Sequence, residues 1–153
     1  VSGKGVPAAF FMAICRTLLK TIALFENDPA KCVRQLNDLL SADNEQMMFV
    51  TLFFGVYDPD TGLVRFVNAG HNPPFKISAN GMVAPLPRSE DMAVAVVENQ
   101  LFGQGTANAP DHATIALRCC SLLVQDPARP EYAQHPFDPG LAGYCVYRDL
   151  GEI

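Results

Sequence analysis

Val1-Ser2-Gly3-Lys4-Gly5-Val6-Pro7-Ala8-Ala9-Phe10-Phe11-Met12-Ala13 opens the chain, and the apolar run continues to Leu24. Two glycines within three residues make a tight turn. Pro7 then suits the start of a helix, where its missing N–H would have had no partner. Val6, Ala9, Phe10, Met12, Ala13, Ile14, Leu18, Leu19 and Ile22 put apolar groups on almost every side of that helix. A helix apolar nearly all round is expected inside a domain. Only Arg16, Thr17, Lys20 and Thr21 sketch a polar face, with Arg16 and Lys20 four apart on it. There is no initiator Met and no polar lead-in, so the stretch reads as the start of a piece cut from something longer.

Asn27-Asp28-Pro29 restarts the chain, Asp28 as N-cap and Pro29 at the first helical position. Val33, Leu36 and Leu40, with Cys32 and Leu39 beside them, form an apolar stripe at helical spacing that ends near residues 41–44. The pattern predicts helices over 6–24 and 29–41, packed as a hairpin on a sheet. From Met47 the period changes. Residues 49–57 are β-branched and aromatic, 58–62 is turn-forming, and 63–68 returns as the second strand of a hairpin. Pro73-Pro74 interrupts, residues 75–77 give a short strand, and 82–86 close an antiparallel meander. Further strands are expected over 92–97, 113–123 and 144–147, with 103–105 a loop. The Pro-rich tail from residue 124 has no clear period, which suggests domain limits of 1–123 and 124–153.

Composition narrows the class. The chain has 153 residues, 49% hydrophobic and 18% charged, with net charge −5. That suffices for one domain with a sizeable core and argues against disorder. No basic run suggests a nucleic-acid partner, and no uninterrupted apolar run reaches the length of a membrane span. A soluble, cytoplasmic protein is the expectation. The five cysteines form no Cys-x-x-Cys pair, so free buried thiols in a reducing compartment are expected.

The opening Val-Ser-Gly-Lys-Gly-Val-Pro-Ala-Ala resembles the signature of bacterial serine phosphatases of the PPM (protein phosphatase 2C) superfamily, in the SpoIIE and sigma-regulator branch. A second block, Met48-Phe49-Val50-Thr51-Leu52-Phe53-Phe54-Gly55-Val56 followed by Val67-Asn68-Ala69-Gly70-His71-Asn72-Pro73-Pro74, is similar to that family in the same order. The resemblance covers residues 1–86 well. It implies an α+β fold, an α-β-β-α sandwich of two antiparallel sheets flanked by helix pairs, of which this chain is a fragment. It also implies two Mn²⁺ or Mg²⁺ ions and a phosphorylated protein substrate, of the anti-sigma-factor antagonist class. The helices at 6–24 and 29–41 match the pair that family members use for regulation and association, so a homodimer through them is the expected self-association.

By the same resemblance, Val1 occupies the place of a residue whose carbonyl binds metal, and Ser2, Gly3 and Gly5 form the active-site turn. Asp111 falls at a metal-ligand position in the imperfect match of residues 111–117 to the family's closing strand. Read alone, Asp111 after a proline is an ordinary turn residue. His71 could ligate metal or act as an acid; ordering its own loop, together with Asn68, is the preferred role. Ser2-Gly3-Lys4-Gly5 could cradle phosphate on backbone N–H groups, but Lys4 is followed by Gly, so it is no Walker A loop. The family's Gly-Asp ahead of the signature and its Thr-Asp-Gly stretch are not in this sequence. A shortened connection near Glu98-Asn99 would account for the second. An inactive PPM-like binding or dimerisation module is therefore the alternative function, and a generic α+β ligand-binding domain the third.

Overall fold

The computed structural model describes residues 1–58, 60–78, 80–87 and 91–108, together with the backbone of two strands at 114–118 and 144–147. The elements run α1 (Val6–Ala23), α2 (Pro29–Ala42), β1 (Leu52–Asp58), β2 (Leu63–Ala69), β3 (Phe75–Ile77), β4 (Val83–Pro85), β5 (Gly105–Asn108), β6 (Thr114–Arg118) and β7 (Tyr144–Tyr147). Two compact units result. One holds Val1–His71 with Pro87–Asn108, the other Asn72–Leu86 with Ala109–Ile153. The first carries the helix pair and a sheet ordered β1-β2-β5; the second carries a sheet ordered β4-β3-β6-β7. Every ladder is antiparallel, as the α+β reading requires.

α2 forms where its caps and stripe say it should. The Asp28 carboxylate accepts the Lys31 N–H at 3.0 Å, and Pro29 follows in the first turn. Cys32, Val33 and Leu36 are fully buried and Leu40 nearly so, and α2 packs on β1 and β2. Leu39 lies off this stripe and is 52% exposed. Within the buried face sits one amide, Asn37, also fully buried. Its Nδ2 donates to the Val97 carbonyl and its Oδ1 accepts the Ala95 N–H, both at 2.9 Å.

α1 departs from expectation. Only Cys15 is buried, while Val6, Phe10, Met12 and Ile14 are exposed. The helix is apolar nearly all round, yet only the face of Phe11, Cys15, Leu18, Leu19 and Ile22 meets the core cluster. The expectation that no segment is long enough to span a membrane is also corrected. α1 has 18 residues of mean hydropathy 1.5, long and apolar enough to cross one by length and composition. Arg16 and Lys20 interrupt its apolar run in sequence without ending the helix. Its packed face is that of a helix in a folded domain.

β1 and β2 pair from Leu52↔Ala69 to Asp58↔Leu63. At the turn the Gly62 N–H donates to the Asp58 carbonyl at 2.8 Å with Gly62 at φ 67°, the left-handed geometry such loops favour. The Thr61 hydroxyl and the Asp60 and Thr61 amides hold the Asp58 carboxyl below its ordinary range. Residues 75–86 do not continue this ladder as the meander reading had it. Beyond Pro73-Pro74 the chain enters the other sheet, because prolines supply no N–H to extend a ladder.

Residues 92–97 are not a strand either. Val94 makes a lone antiparallel bridge with Val50, and Ala95, at φ 68°, breaks the extension. Glu98 and Asn99 form a turn, with Asn99 at φ 57°. Gly105, expected in a loop, begins β5 beside β2. The buried Phe66 ring lies over it, and a Cβ there would sit 2.5 Å from the ring. β6 occupies the first half of the strand expected over 113–123, and β7 the one over 144–147.

Leu36→Asp should place an unpaired charge in the α2 contact and cost more than about 3 kcal/mol. A thermal melt within a degree or so of the parent would show the stripe is not buried. Asn37→Ala leaves the Ala95 N–H and the Val97 carbonyl without their partner, an expected loss of about 1–3 kcal/mol by urea titration. An unchanged midpoint would mean that water replaces the amide.

Candidate active-site edge

The opening turn is shaped by two left-handed glycines, Gly3 at φ 80° and Gly5 at φ 79°. A Cβ on either would meet nothing within 4 Å, so conformation rather than crowding calls for glycine. Gly5 is the N-cap of α1 and offers no side-chain cap. Ser2 fastens the turn. Its N–H donates to the Phe49 carbonyl at 2.8 Å, and its Oγ accepts the Phe49 N–H at 2.9 Å.

Three successive residues each hold a different loop. Phe49 binds Ser2. Val50 exchanges two backbone hydrogen bonds with Val94, at 2.9 and 3.1 Å. The Thr51 hydroxyl is hydrogen-bonded to His71 Nδ1 at 3.2 Å. His71 is set by Asn68 as well, whose Oδ1 accepts the His71 N–H at 2.9 Å; Asn68 is nearly fully buried at the end of β2. Between them, Gly70 takes φ 65° and lies so close to Ala93 that a Cβ would stand 2.8 Å from its backbone nitrogen. The opening turn and the Asn68–His71 loop therefore meet at residues 49–51.

Behind this edge α2 holds the strap of residues 94–97. Besides the bonds to Asn37, the Ala95 carbonyl accepts from Asn44 Nδ2 at 3.1 Å. A groove of about 340 Å³ opens beside the strap, lined by Ser41, Asn44, Met47, Phe49, Val96 and Glu98, among others. The Ser41 Oγ is buried and has no hydrogen-bond partner among the described residues. Neither asparagine was picked out from the sequence. The available signal was an amide at position 37 inside the stripe of Val33, Leu36 and Leu40.

Val1 is 39% exposed at the head of the turn. Asp111, with His112, His135, Cys119 and Cys120, lies outside the described residues. Among the described residues no three His, Cys, Asp or Glu side chains gather to hold a metal, and the first 25 residues contain no Asp or Glu. The described residues thus do not by themselves fit a two-ion centre. Cys15 and Cys32 are free. Burial pushes the Cys15 thiol up to about 11, and burial with Glu26 and Asp28 raises that of Cys32, whose Sγ donates to the Glu26 carbonyl at 3.1 Å. Neither is a ready nucleophile.

Comparison with known proteins agrees with this geometry. The family described as Stage II sporulation protein E (SpoIIE) matches residues 1–118. Protein IcfG of Synechocystis sp. is 30% identical over 129 residues, covering 67% of this chain and 20% of that protein. Phosphoserine phosphatase RsbU of Bacillus subtilis is 30% identical over 78 residues, covering 51% and 23%. Among solved structures, the RsbU and RsbW domains of Rv1364c from Mycobacterium tuberculosis superpose with TM-score 0.69 at 19% identity, over 76% of this chain and 32% of that one. RsbX in complex with magnesium gives 0.62 at 14%, over 82% and 59%. At these identities the superpositions speak for the fold. The chain spans about a fifth of the length of the curated relatives it matches. With most of its length inside one family and both signature blocks joined at Phe49–Thr51, the chain belongs to the SpoIIE family, the SpoIIE-like branch of the PPM phosphatases.

Proposed function

We propose that this is the phosphatase domain of a divalent-metal-dependent protein phosphatase, acting in the bacterial cytoplasm on phosphoserine of a regulatory protein of the anti-sigma-factor antagonist class. The observation that carries the reading is the clamp of the Ser2 turn on Phe49 beside the His71–Thr51 contact, which brings the family's two signature blocks to one edge. The relative named for its activity, RsbU, is a phosphoserine phosphatase, and the fold neighbour RsbX is known in complex with magnesium. In this reading Ser2, Gly3 and Gly5 shape the turn, and Asn68 and Thr51 hold His71 in one orientation. The Val1 carbonyl and the Asp111 carboxylate serve as metal ligands, with Mn²⁺ or Mg²⁺ as the ion.

A second reading is favoured by one observation, that the described residues gather no three metal-ligating side chains. It is an inactive PPM-like module that binds or dimerises. Hydrolysis of a phosphoserine peptide separates the two. The 153 residues alone should show no turnover. The chain preceded by Gly-Asp and given a Thr-Asp-Gly stretch ahead of Asn99 should release phosphate only with Mn²⁺ or Mg²⁺, and EDTA should stop it. Asp111→Asn in that chain should lower kcat about a hundredfold or more, since even outer-shell changes cost 10–100-fold, while its melt stays put. Metal-independent release, or full activity of Asp111→Asn, would overturn the assignment.

A further inference from the structure

The described non-glycine residues that take a left-handed φ gather at one place. Met47 (φ 48°) and Ala95 (φ 68°) line the groove beside the strap, and Asn99 (φ 57°) follows Glu98, which lines it too. Such backbone persists only where its surroundings over-determine it, and it clusters at ligand clamps. Asn44 is the residue that holds it here. Its Oδ1 accepts the Met48 N–H at 2.8 Å, and its Nδ2 donates to the carbonyls of Met48 at 2.7 Å and Ala95 at 3.1 Å. Both sides of the groove are therefore fixed before anything enters it.

The lining says what enters. Met47, Phe49 and Val96 are large, apolar and exposed. Among the described residues that line the groove Glu98 alone is charged, and it is exposed. Ser41 brings a buried hydroxyl without a described partner. Apolar walls, one carboxylate and one spare hydroxyl match a short hydrocarbon chain that ends in a positive group bearing N–H donors. Phe49 adds an aromatic side chain, against which organic cations sit well. We propose that this groove is a binding site for a small organic cation, an ammonium or guanidinium on a short hydrocarbon chain, with Glu98 as its counter-charge. Phe49 ties the site to the signature turn, since its backbone also holds Ser2. The site stands whether or not the chain hydrolyses phosphoserine.

Other occupants fit less well. A volume of about 340 Å³ lies at the small end of ligand sites. A protein partner would cover about 800 Å² of this chain, far more than these few residues offer. An anion would meet Glu98 with like charge, and a neutral chain would leave that carboxylate unanswered.

The test is an NMR titration of the ¹⁵N-labelled 153-residue chain at low salt with three chains of equal length, hexylamine, 1-hexanol and hexanoate. Hexylamine should give saturable shifts of the Met47, Phe49 and Val96 amides. Hexanol should bind about fivefold more weakly, the worth of one partly exposed charge pair, and hexanoate should not saturate. Glu98→Gln should bring hexylamine down to the level of hexanol with an unchanged thermal melt. If that variant melts early, the same loss should appear in the parent at high salt, where the charge is screened. Val96→Ser should weaken hexylamine and hexanol alike. Equal affinity for the three probes, shifts that do not saturate, or full hexylamine affinity in Glu98→Gln would overturn the assignment. A Gly-Gly-Lys-Gly-Gly peptide that binds more tightly than hexylamine would also overturn it, by making a protein side chain the occupant.

Discussion

One buried amide sets how the helix-bearing unit is put together. Asn37 sits in the face of α2 that is otherwise Cys32, Val33, Leu36 and Leu40, and none of its surface reaches solvent. A primary amide withdrawn from water must find partners or forfeit a few kcal/mol. It finds them on the backbone of Ala95 and Val97, about sixty residues along the chain. Asn44, two turns further on, takes the Ala95 carbonyl. Both peptide groups of Ala95 are then held, which lets a non-glycine residue keep the left-handed φ of 68°. The apolar stripe supplies most of the stabilisation through burial. The amide supplies register, since it accepts only one placement of the strap.

That placement has consequences at the functional edge. The strap brings Val94 to Val50, and Val50 is the middle of three residues that each secure a loop. Phe49 receives the signature turn and Thr51 the His71 ring. Two of the three contacts join segments more than forty residues apart, so the edge exists only when helix, strap and hairpin are all in place. Loops held this way by a packed scaffold keep fixed geometry while leaving their other side to a ligand. Gly70 belongs to the same arrangement, because only a residue without Cβ can pass so near Ala93.

α1 does two jobs with its two faces. One packs against the core through Phe11, Cys15, Leu18 and Ile22; the other presents apolar groups outward. A helix that served the core alone would carry polar groups on its outer face.

Much of this was legible in the residues themselves where the cause is local. Asp28-Pro29 announces a helix start because an N-cap carboxylate and a proline answer needs of the first turn. The 58–62 turn and its flanking strands follow from turn chemistry and alternation, and Pro73-Pro74 marks the end of a ladder. The two signature blocks were visible as blocks. What local pattern does not carry is which distant segments meet. Residues 92–97 look like a strand, but Asn37 and Asn44 turn the backbone at Ala95. Gly103-Gln104-Gly105 looks like a loop, but the Phe66 ring makes room only for glycine and draws Gly105 into the sheet. The apolar period of α1 shows a helix and leaves open which side is buried, because that depends on where α2 and the sheet stand. By itself the sequence determined the elements, their caps and the family pattern, since these rest on neighbours a few residues apart. Only the tertiary structure decided which backbone groups Asn37 and Asn44 hold, which face of α1 is left open, and that the signature turn and the His71 loop share one edge, since these rest on contacts across about twenty residues or more.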